Sequence, residues 1–247
     1  MQNKFLSVMK IENSKYNELK KWYKKAQGLE FRRLINNEVL KLRETVCGNH
    51  ILYIGLPEFK KKFELKNQLS YISFNDLSFD ENLNVSKRLP FEDKSHDTIV
   101  LVHTLDYTQN PYELIREIDR IASDDAKVLM IGFNKTSLWG FIKPYMKQEV
   151  PWTLNFHSLY NINEWFKLLG YRSEHKETIS FFPYIPKRFI RIVEKMGFLQ
   201  RIFLKNFGGI YLYSFRKETI PVTPIKIKFR DKYVVTPFSK STLNRIK

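Results

Sequence analysis

The sequence predicts an α/β fold with a mostly parallel, doubly wound sheet and an antiparallel edge. Short, unbroken apolar runs are typical of strands covered on both faces, and helical patterns separate one run from the next. Hydrophobic residues make up 43% of the 247 residues, which is enough to build a packed core. We divide the chain into an N-terminal helical region (1–48), a central α/β domain (49–217) and a basic C-terminal tail (218–247).

The N-terminal region is predicted to be helical over 16–45. Apolar residues recur three and four positions apart on one face, and lysines occupy the other. The apolar positions are Leu19, Trp22, Tyr23, Ala26 and Leu29, and the lysines are Lys20, Lys21, Lys24 and Lys25. Gly48 is expected to end this region, because glycine commonly follows the last turn of a helix.

The first half of the central domain predicts two strands. His50–Gly55 is a short apolar run that ends in glycine, which indicates a buried strand followed by a turn. A short helix is predicted over 57–65 and a second strand over 69–74. We expect both strands to lie in one sheet.

The clearest strand signals lie in the middle of the chain. The apolar run Ile99–Val102 lies inside a strand predicted over 97–105, and a similar run covers 127–133. The polar triplet Ser123–Asp125 predicts a turn before the second of these strands. Both strands are expected in the same sheet as the first two.

A helix is predicted between these central strands. Asn110 is a suitable N-cap, Pro111 suits the first helical position, and Glu113 stands at the reciprocal capping position. The buried stripe of this helix is predicted to consist of Leu114, Ile118 and Ile121.

The second half predicts three helices and two further strands. The helices are expected over 137–146, 162–169 and 187–204, the last of them basic and amphipathic, and the strands over 171–182 and 210–216. These two strands lie beyond the central unit, so they are expected to form the antiparallel edge.

The chain is strongly basic, with 42 Lys and Arg residues against 26 Asp and Glu residues, a formal charge of +16. Such a charge favours weak, salt-sensitive contact with nucleic acid or an anionic surface, although lysines solvated all round would give the same count. Cys47 is the sole cysteine, which rules out an intramolecular disulfide. No apolar stretch has the length of a membrane span, and we predict a cytoplasmic protein.

Several kinds of active site lack their sequence signatures. Cys47 and His50 are close in sequence, but no second pair completes a zinc site, so we predict no metal. The chain contains no G-x-S-x-G turn of a serine hydrolase and no phosphate-binding loop of the G-x-x-x-x-G-K-[ST] type.

One segment resembles a known family. Leu89–Val100 reads LPFEDKSHDTIV, which resembles the LPF-x-D-x-S-F-D-x-V segment of class I S-adenosylmethionine-dependent methyltransferases. His103–Leu105 resembles the close of that family's fourth strand, Glu117–Ile121 its following helix end, and Lys127–Phe133 its fifth strand.

Two flanking blocks resemble a particular bacterial group that carries a methyltransferase type 11 domain. They are Gly132–Gly140 and Gly208–Tyr211, the latter continued by Arg216–Pro224. The resemblance implies a Rossmann-like methyltransferase fold over 49–217 and S-adenosylmethionine as the cofactor. The residues that it implies for cofactor binding are Gly55, Asn75, Asp76, Leu89, Phe91 and His103.

Each of these residues also has a structural interpretation. Gly55 suits a turn that needs positive φ, and Asp76 suits a surface loop. Leu89 and Phe91 suit ordinary packing. His103 has the pKa range of a general base, but a hydrogen-bonded structural histidine is an equal alternative.

The glycine motif of the family is degenerate in this chain. The turn after the first strand reads Ile54-Gly55-Leu56-Pro57-Glu58-Phe59 and keeps one glycine, and Val85 stands where the family has an acid. We therefore hypothesise a methyltransferase of unassigned acceptor with weakened cofactor binding. The alternatives are a methyltransferase-like scaffold that does not bind cofactor, and a basic protein that binds RNA or a membrane surface. No catalytic residue and no oligomeric state can be assigned from the sequence.

Overall fold

A computed structural model describes residues 14–43, 46, 48–63, 68–72, 89, 91–108, 110–146, 149–181 and 206–218. The basic helix predicted over 187–204 and the tail beyond 218 lie outside the described residues. The strands are β1 (His50–Gly55), β2 (Gln68–Ile72), β3 (His96–Val102), β4 (Ala122–Phe133), β5 (Tyr171–Ile179) and β6 (Ile210–Lys217). The helices are α1 (14–22), α2 (Ala26–Arg43), α3 (Pro57–Lys60), α4 (Thr104–Tyr107), α5 (Pro111–Ile121), α6 (Leu138–Ile142) and α7 (Leu159–Leu168), with a 3₁₀ turn at Lys143–Tyr145.

All six strands form one sheet in the order β2-β1-β3-β4-β6-β5. Strands β1 to β4 run parallel, and β3 pairs directly with β4 from Thr98↔Lys127 to Val102↔Ile131. Strand β6 is antiparallel to both of its neighbours, β4 and β5. The predicted fold class, with its antiparallel edge, is confirmed.

The sheet is covered on both faces, as its unbroken apolar strands predict. Alternate residues of β1, β3, β4 and β6 enter different cores, because successive side chains point to opposite faces. Tyr53, Val100 and Ile131 belong to a core shared with α1 and α2. Ile54 and Leu101 belong to a second core under α5 and α7.

The N-terminal region contains a corner where the sequence predicts one helix over 16–45. Residues 23–25 form a turn between α1 and α2, with the amide of Lys25 donating to the carbonyl of Trp22 at 2.9 Å. Gly28 makes this corner tight, since a Cβ there would lie 2.1 Å from the carbonyl oxygen of Trp22. Trp22 and Tyr23 are thereby turned into the core of the sheet.

The start of α5 lies where the sequence predicts it, with Asn110 as the N-cap residue and Pro111 at the first helical position. The Asn110 side chain makes no capping bond to the helix backbone; its amide instead donates to the Glu113 carboxylate at 3.4 Å. The prediction for the segment after α5 is wrong. The triplet Ser123–Asp125 is not a turn but part of β4, whose first residue Ala122 pairs with His96 across a register shift. The pairing extends the ladder through a polar segment that has no apolar pattern of its own.

Arg120, near the end of α5, fixes the segment that enters β3. Its guanidinium donates to the carbonyls of Leu89 at 3.1 Å and Phe91 at 2.9 Å, and to the carboxylates of Glu117 and Asp93. Leu89 and Phe91 pack on the core under α5. Leu89 and Phe91, from the segment that resembles the methyltransferase LPF sequence, therefore have a structural role in this chain.

We expect Arg120→Ala to lower the free energy of unfolding by about 2 kcal/mol, because two carbonyls lose their donor and Glu117 loses its partner. Urea denaturation measures the change. Arg116→Ala, an exposed arginine on the same helix, is the matched control and should cost about 0.5 kcal/mol or less. Equal losses in the two variants would contradict the role of Arg120.

Candidate functional site

The order of the strands locates a crevice between β1 and β3. The chain passes from β1 outward to β2 and then returns to the other side of β1 as β3, so the sheet changes direction between these strands. Open α/β sheets bind ligands at such a point, beyond the carboxyl ends of the strands. Gly55 and Val102 are the last pair of this ladder, which brings Gly55 and the adjacent His103 to one edge.

Gly55 allows β1 and β3 to approach closely at that edge. Its φ is +138°, and a Cβ there would lie 2.3 Å from the carbonyl oxygen of Val102. A side chain at this position would therefore meet backbone rather than open space. The close approach of the two strands is by itself sufficient to require glycine at position 55.

His103 leaves β3 with a left-handed backbone, φ 57°, and begins α4. Its side chain is fully buried and both ring nitrogens are engaged. Nδ1 lies 2.7 Å from Oδ2 of Asp106, one turn further along, and Nε2 lies 2.6 Å from the hydroxyl oxygen of Tyr23 on the corner after α1.

Asp106 is the second buried titratable group of this network. Its Oδ2 also accepts a hydrogen bond from the amide of Phe133 at 3.0 Å, whereas the buried Oδ1 has no hydrogen-bond partner. Gly132 leaves room for this carboxyl group and for Tyr211, since a Cβ there would lie 3.0 Å from Oδ1 and 2.4 Å from the Tyr211 hydroxyl.

Burial favours the uncharged forms of all three side chains. It lowers the pKa of His103 to about 3 and raises the pKa of Asp106 well above its usual value, the Phe133 amide opposing the second shift. It also raises the pKa of Tyr23, with the nearby Asp106 and Glu58 adding to the shift. The network is therefore uncharged and lies in a part of the protein that excludes water.

Aromatic side chains surround this network. Phe133 lies 4.5 Å from the His103 ring and is stacked on Phe156 at 5.1 Å and on Trp139 at 5.8 Å. Phe31 of α2 contacts Trp139 at 4.9 Å. Such a surrounding excludes water and strengthens the polar contacts inside it.

The turn after β1 is closed by its own side chains. The Tyr53 hydroxyl donates to the carbonyl of Leu56 at 2.5 Å, and Phe59 lies 5.1 Å from Tyr23. Tyr23 thus reaches from Phe59, beyond β1, to His103, beyond β3. It fills the crevice between the two strands.

The described arrangement does not accommodate S-adenosylmethionine at this turn. Gly55 is buried, Leu56, Phe59 and His103 have no solvent exposure, and Tyr23 contacts both Phe59 and His103. A cofactor could reach the turn only if α1 and its Tyr23 withdrew from the crevice.

The predicted cofactor residues fall into three groups. Gly55 and His103 meet at the carboxyl edge. Leu89 and Phe91 lie at the opposite edge, where the Phe91 ring contacts that of His96, the first residue of β3, at 4.7 Å. The structure does not bring these two groups together, and the cofactor roles of all four residues stay predictions. The predicted ribose contacts Asn75 and Asp76 lie outside the described residues.

Two further side chains after β4 have structural partners. The amide nitrogen of Asn134 donates to the carbonyls of Asn206 and Gly208, both at 2.9 Å, and ties β4 to the segment before β6. Ser137, not Asn134, caps α6 through a bond from the amide of Gly140 at 3.3 Å.

The sequence interpretation missed Tyr23 and Asp106. The spacing of His103 and Asp106, three residues apart at the end of a predicted strand, was a signal for the second of them. No local signal identifies Tyr23, because it is 80 residues from His103.

Two kinds of feature are absent from the described part of the chain. None of its groups of three or more His, Cys, Asp or Glu side chains could hold a metal ion. None of its helices combines the length and apolar character needed to cross a membrane.

Comparison with known proteins supports the family seen in the sequence. Residues 57–130 match the methyltransferase domain family. The Escherichia coli (strain K12) protein YafS, described as uncharacterized, is 26% identical over 210 residues, which cover 79% of this chain and 80% of YafS.

Solved structures share the fold. The Haloferax volcanii methyltransferase solved with its activator Trm112 aligns with a TM-score of 0.52 at 15% identity, over 83% of this chain and 98% of that one. A Thermotoga maritima S-adenosylmethionine-dependent methyltransferase aligns with a TM-score of 0.50 at 13% identity, over 82% and 96% of the two chains. At these identities the likeness shows the fold alone, and the family match starts two residues after Gly55.

Proposed function

We propose that this chain, which belongs to the class I methyltransferase family by its domain match and fold, is an S-adenosylmethionine-dependent methyltransferase of unassigned acceptor. The observation that carries the proposal is the His103–Asp106 pair at the carboxyl end of β3, beside Gly55 and at the point where the sheet changes direction. A proton-accepting group at that edge suits an acceptor that loses a proton from oxygen or nitrogen as it is methylated.

The state of His103 would depend on whether α1 covers it. Burial is the main cause of the raised pKa of Asp106, so withdrawal of α1 would let water in and allow the carboxyl group to ionise. An ionised Asp106 would accept a hydrogen bond from Nδ1–H of His103, which selects the tautomer with a lone pair on Nε2. Nε2 would then face the crevice in the form that accepts a proton.

Tyr23 occupies the position that an acceptor would take in such a mechanism. Its hydroxyl is the group bound to Nε2 in the closed arrangement, at 2.6 Å. Bound S-adenosylmethionine would supply the methyl group, although the described arrangement does not admit it while Tyr23 is in place. The chain's own contribution is to orient His103, exclude water and release Tyr23.

A second candidate function is a methyltransferase-like scaffold without a cofactor. The turn after β1 favours it, because Tyr53 ties the turn to itself and Phe59 packs where the family has glycine. Pro57 also removes a backbone donor from the turn. Two or three lost hydrogen bonds, each worth about 1 kcal/mol, would weaken cofactor affinity roughly a hundredfold.

Calorimetric titration with S-adenosylmethionine decides between the two functions. We expect weak binding to the unaltered chain and an apparent affinity about tenfold higher for Tyr23→Ala, because a site that must open before it binds is weakened by the fraction that is closed. Tyr23→Phe keeps the ring and removes the bond to His103, so its gain should be smaller.

A thermal unfolding scan of each variant serves as the control for folding. Folded Tyr23→Ala protein that gives no heat with S-adenosylmethionine would favour the scaffold. Binding that is equal in Tyr23→Ala and the unaltered chain would show that the cofactor lies elsewhere than under Tyr23.

A cytoplasmic location is part of this proposal and is supported by the single cysteine. The acceptor class is left open. Contact with nucleic acid, if it occurs, is expected to be weak, independent of base sequence and sensitive to salt, because the charge of +16 comes without a recognition motif.

A further inference from the structure

Helix α6 and the 3₁₀ turn after it expose an unusual set of apolar side chains. Phe141 is 73% exposed, Tyr145 is 82% exposed and Met146 is 48% exposed. Phe141 lies in α6 and Tyr145 lies four residues later, at the end of the 3₁₀ turn. Trp139, by contrast, is fully buried and anchors the helix to the core.

An exposed lysine lies beside these apolar side chains. The backbone of Lys135 packs against Gly140 of α6, where a Cβ would meet the Lys135 carbonyl, and the Lys135 side chain is exposed. Lys143, within the 3₁₀ turn, instead points inward: its Nζ donates to the carbonyl of Leu154 and lies 4.8 Å above the Phe156 ring. We call the side chains Phe141, Tyr145, Met146 and Lys135 the α6 surface.

We propose that the α6 surface docks on an anionic lipid membrane, with Phe141 and Tyr145 entering the interface and Lys135 facing the lipid headgroups. Aromatic side chains favour the boundary between headgroups and acyl chains, and each lysine near an anionic leaflet adds attraction. The formal charge of +16 supplies the complementary charge for an acidic leaflet. The proposal does not depend on the proposed enzymatic function.

The shape of the surface favours lipid over nucleic acid. Proteins that bind single strands place their aromatic side chains along a groove, where successive bases stack. Phe141 and Tyr145 instead project from a five-residue helix and the 3₁₀ turn that follows it, where they stand mostly free of the protein. Two protruding aromatic side chains next to a lysine combine the apolar and electrostatic contributions on which interfacial binding depends.

The position of α6 gives such docking a direction. The helix follows β4 at the carboxyl edge of the sheet, the edge that holds Gly55 and His103. Docking through α6 would therefore bring that edge, and not the edge with Arg120, towards the lipid.

Co-sedimentation with vesicles tests the proposal on the full chain. We expect binding to vesicles of phosphatidylcholine mixed with phosphatidylglycerol and much less binding to phosphatidylcholine alone. The double variant Phe141→Ser/Tyr145→Ser should lower the partition coefficient by about tenfold or more, because two buried aromatic rings are lost from the interface. Tyr160→Ser is the matched control, since Tyr160 is 71% exposed on α7, and it should leave partitioning unchanged.

A charge pair completes the design. Lys135→Gln should weaken binding to the anionic vesicles several-fold, whereas Lys61→Gln, an exposed lysine after α3, should not. Thermal unfolding scans confirm that each variant is folded.

Four results would overturn the proposal. The first is no binding to anionic vesicles, as expected if another segment of the chain covers α6. The second is an equal loss in Tyr160→Ser. The third is dimerisation that the double variant abolishes, which would make a second copy the occupant. The fourth is binding to single-stranded RNA that depends on Phe141 and Tyr145 while vesicle binding does not.

Discussion

Gly55→Ala is expected to lower the free energy of unfolding by about 4 kcal/mol. Two costs combine at this position: a side chain at φ +138° is strained, and its Cβ would lie 2.3 Å from the carbonyl oxygen of Val102. The ladder between β1 and β3 would have to separate at the edge that holds His103. Urea denaturation measures the loss through the midpoint and slope of the transition.

Gly170→Ala is the matched control for this variant. Gly170 also has a positive φ, +81°, but the nearest atom to its Cβ position is the Glu218 carbonyl oxygen at 3.9 Å. The free energy of unfolding of Gly170→Ala should therefore fall through backbone strain alone, by about 1–2 kcal/mol. Similar losses of free energy of unfolding in the two variants would show that β3 can move away from Gly55 at little cost. The close approach at Gly55 would then contribute little.

The loss of stability expected for Gly55→Ala bears on any attempt to block the crevice with a larger residue at this position. A large residue such as tryptophan at this position would break the sheet before it filled a binding site. Loss of cofactor binding in Gly55→Trp would therefore not locate the cofactor, whereas substitutions of Tyr23 leave the strands intact.

Asp106→Asn is expected to change the pH dependence of stability. The folded chain holds the Asp106 proton that the unfolded chain releases above about pH 4, because the folded pKa is raised. Above that pH the contribution of Asp106 to the free energy of unfolding falls by up to about 1.4 kcal/mol per pH unit. Removing the carboxyl group removes this fall, so the variant should gain stability relative to the unaltered chain as pH rises.

His103→Asn should show the opposite trend and serves as the comparison. The folded pKa of His103 is about 3, below that of the unfolded chain, so the unfolded state binds the extra proton between about pH 3 and 6.5. The contribution of His103 to the free energy of unfolding therefore rises over that window and is complete above it. The free energy of unfolding of His103→Asn should lack this rise with pH. Denaturation at a series of pH values measures all three proteins, and parallel profiles would contradict the buried network.

The strands could be predicted because their signal is local. Residues 51–54, 99–102 and 128–131 are apolar without interruption, as strands covered on both faces must be, and the structure pairs all three strands. The polar start of β4 could not be predicted, because only its pairing with His96 makes it a strand. The corner after α1 depends likewise on packing against the sheet, which helical periodicity does not encode.

The candidate site was predicted only where backbone geometry determines it. Gly55 and His103 follow apolar runs, and parallel strands bring their carboxyl ends to one edge. Leu89 and Phe91 precede β3, so the same rule puts them at the other edge, but their family resemblance suggested otherwise. The bond from Tyr23 to His103 arises from the tertiary fold alone.

The contact between Tyr23 and His103 has a consequence for synthesis on the ribosome. Helix α1 is translated before every strand, yet Tyr16, Leu19, Trp22 and Tyr23 share a core with side chains of β1, β3, β4 and β6. Until those strands have been made, the nascent chain carries an amphipathic helix whose core is incomplete. Docking of α1 is therefore a late event in biogenesis, and in that interval the apolar face of α1 is available to chaperones.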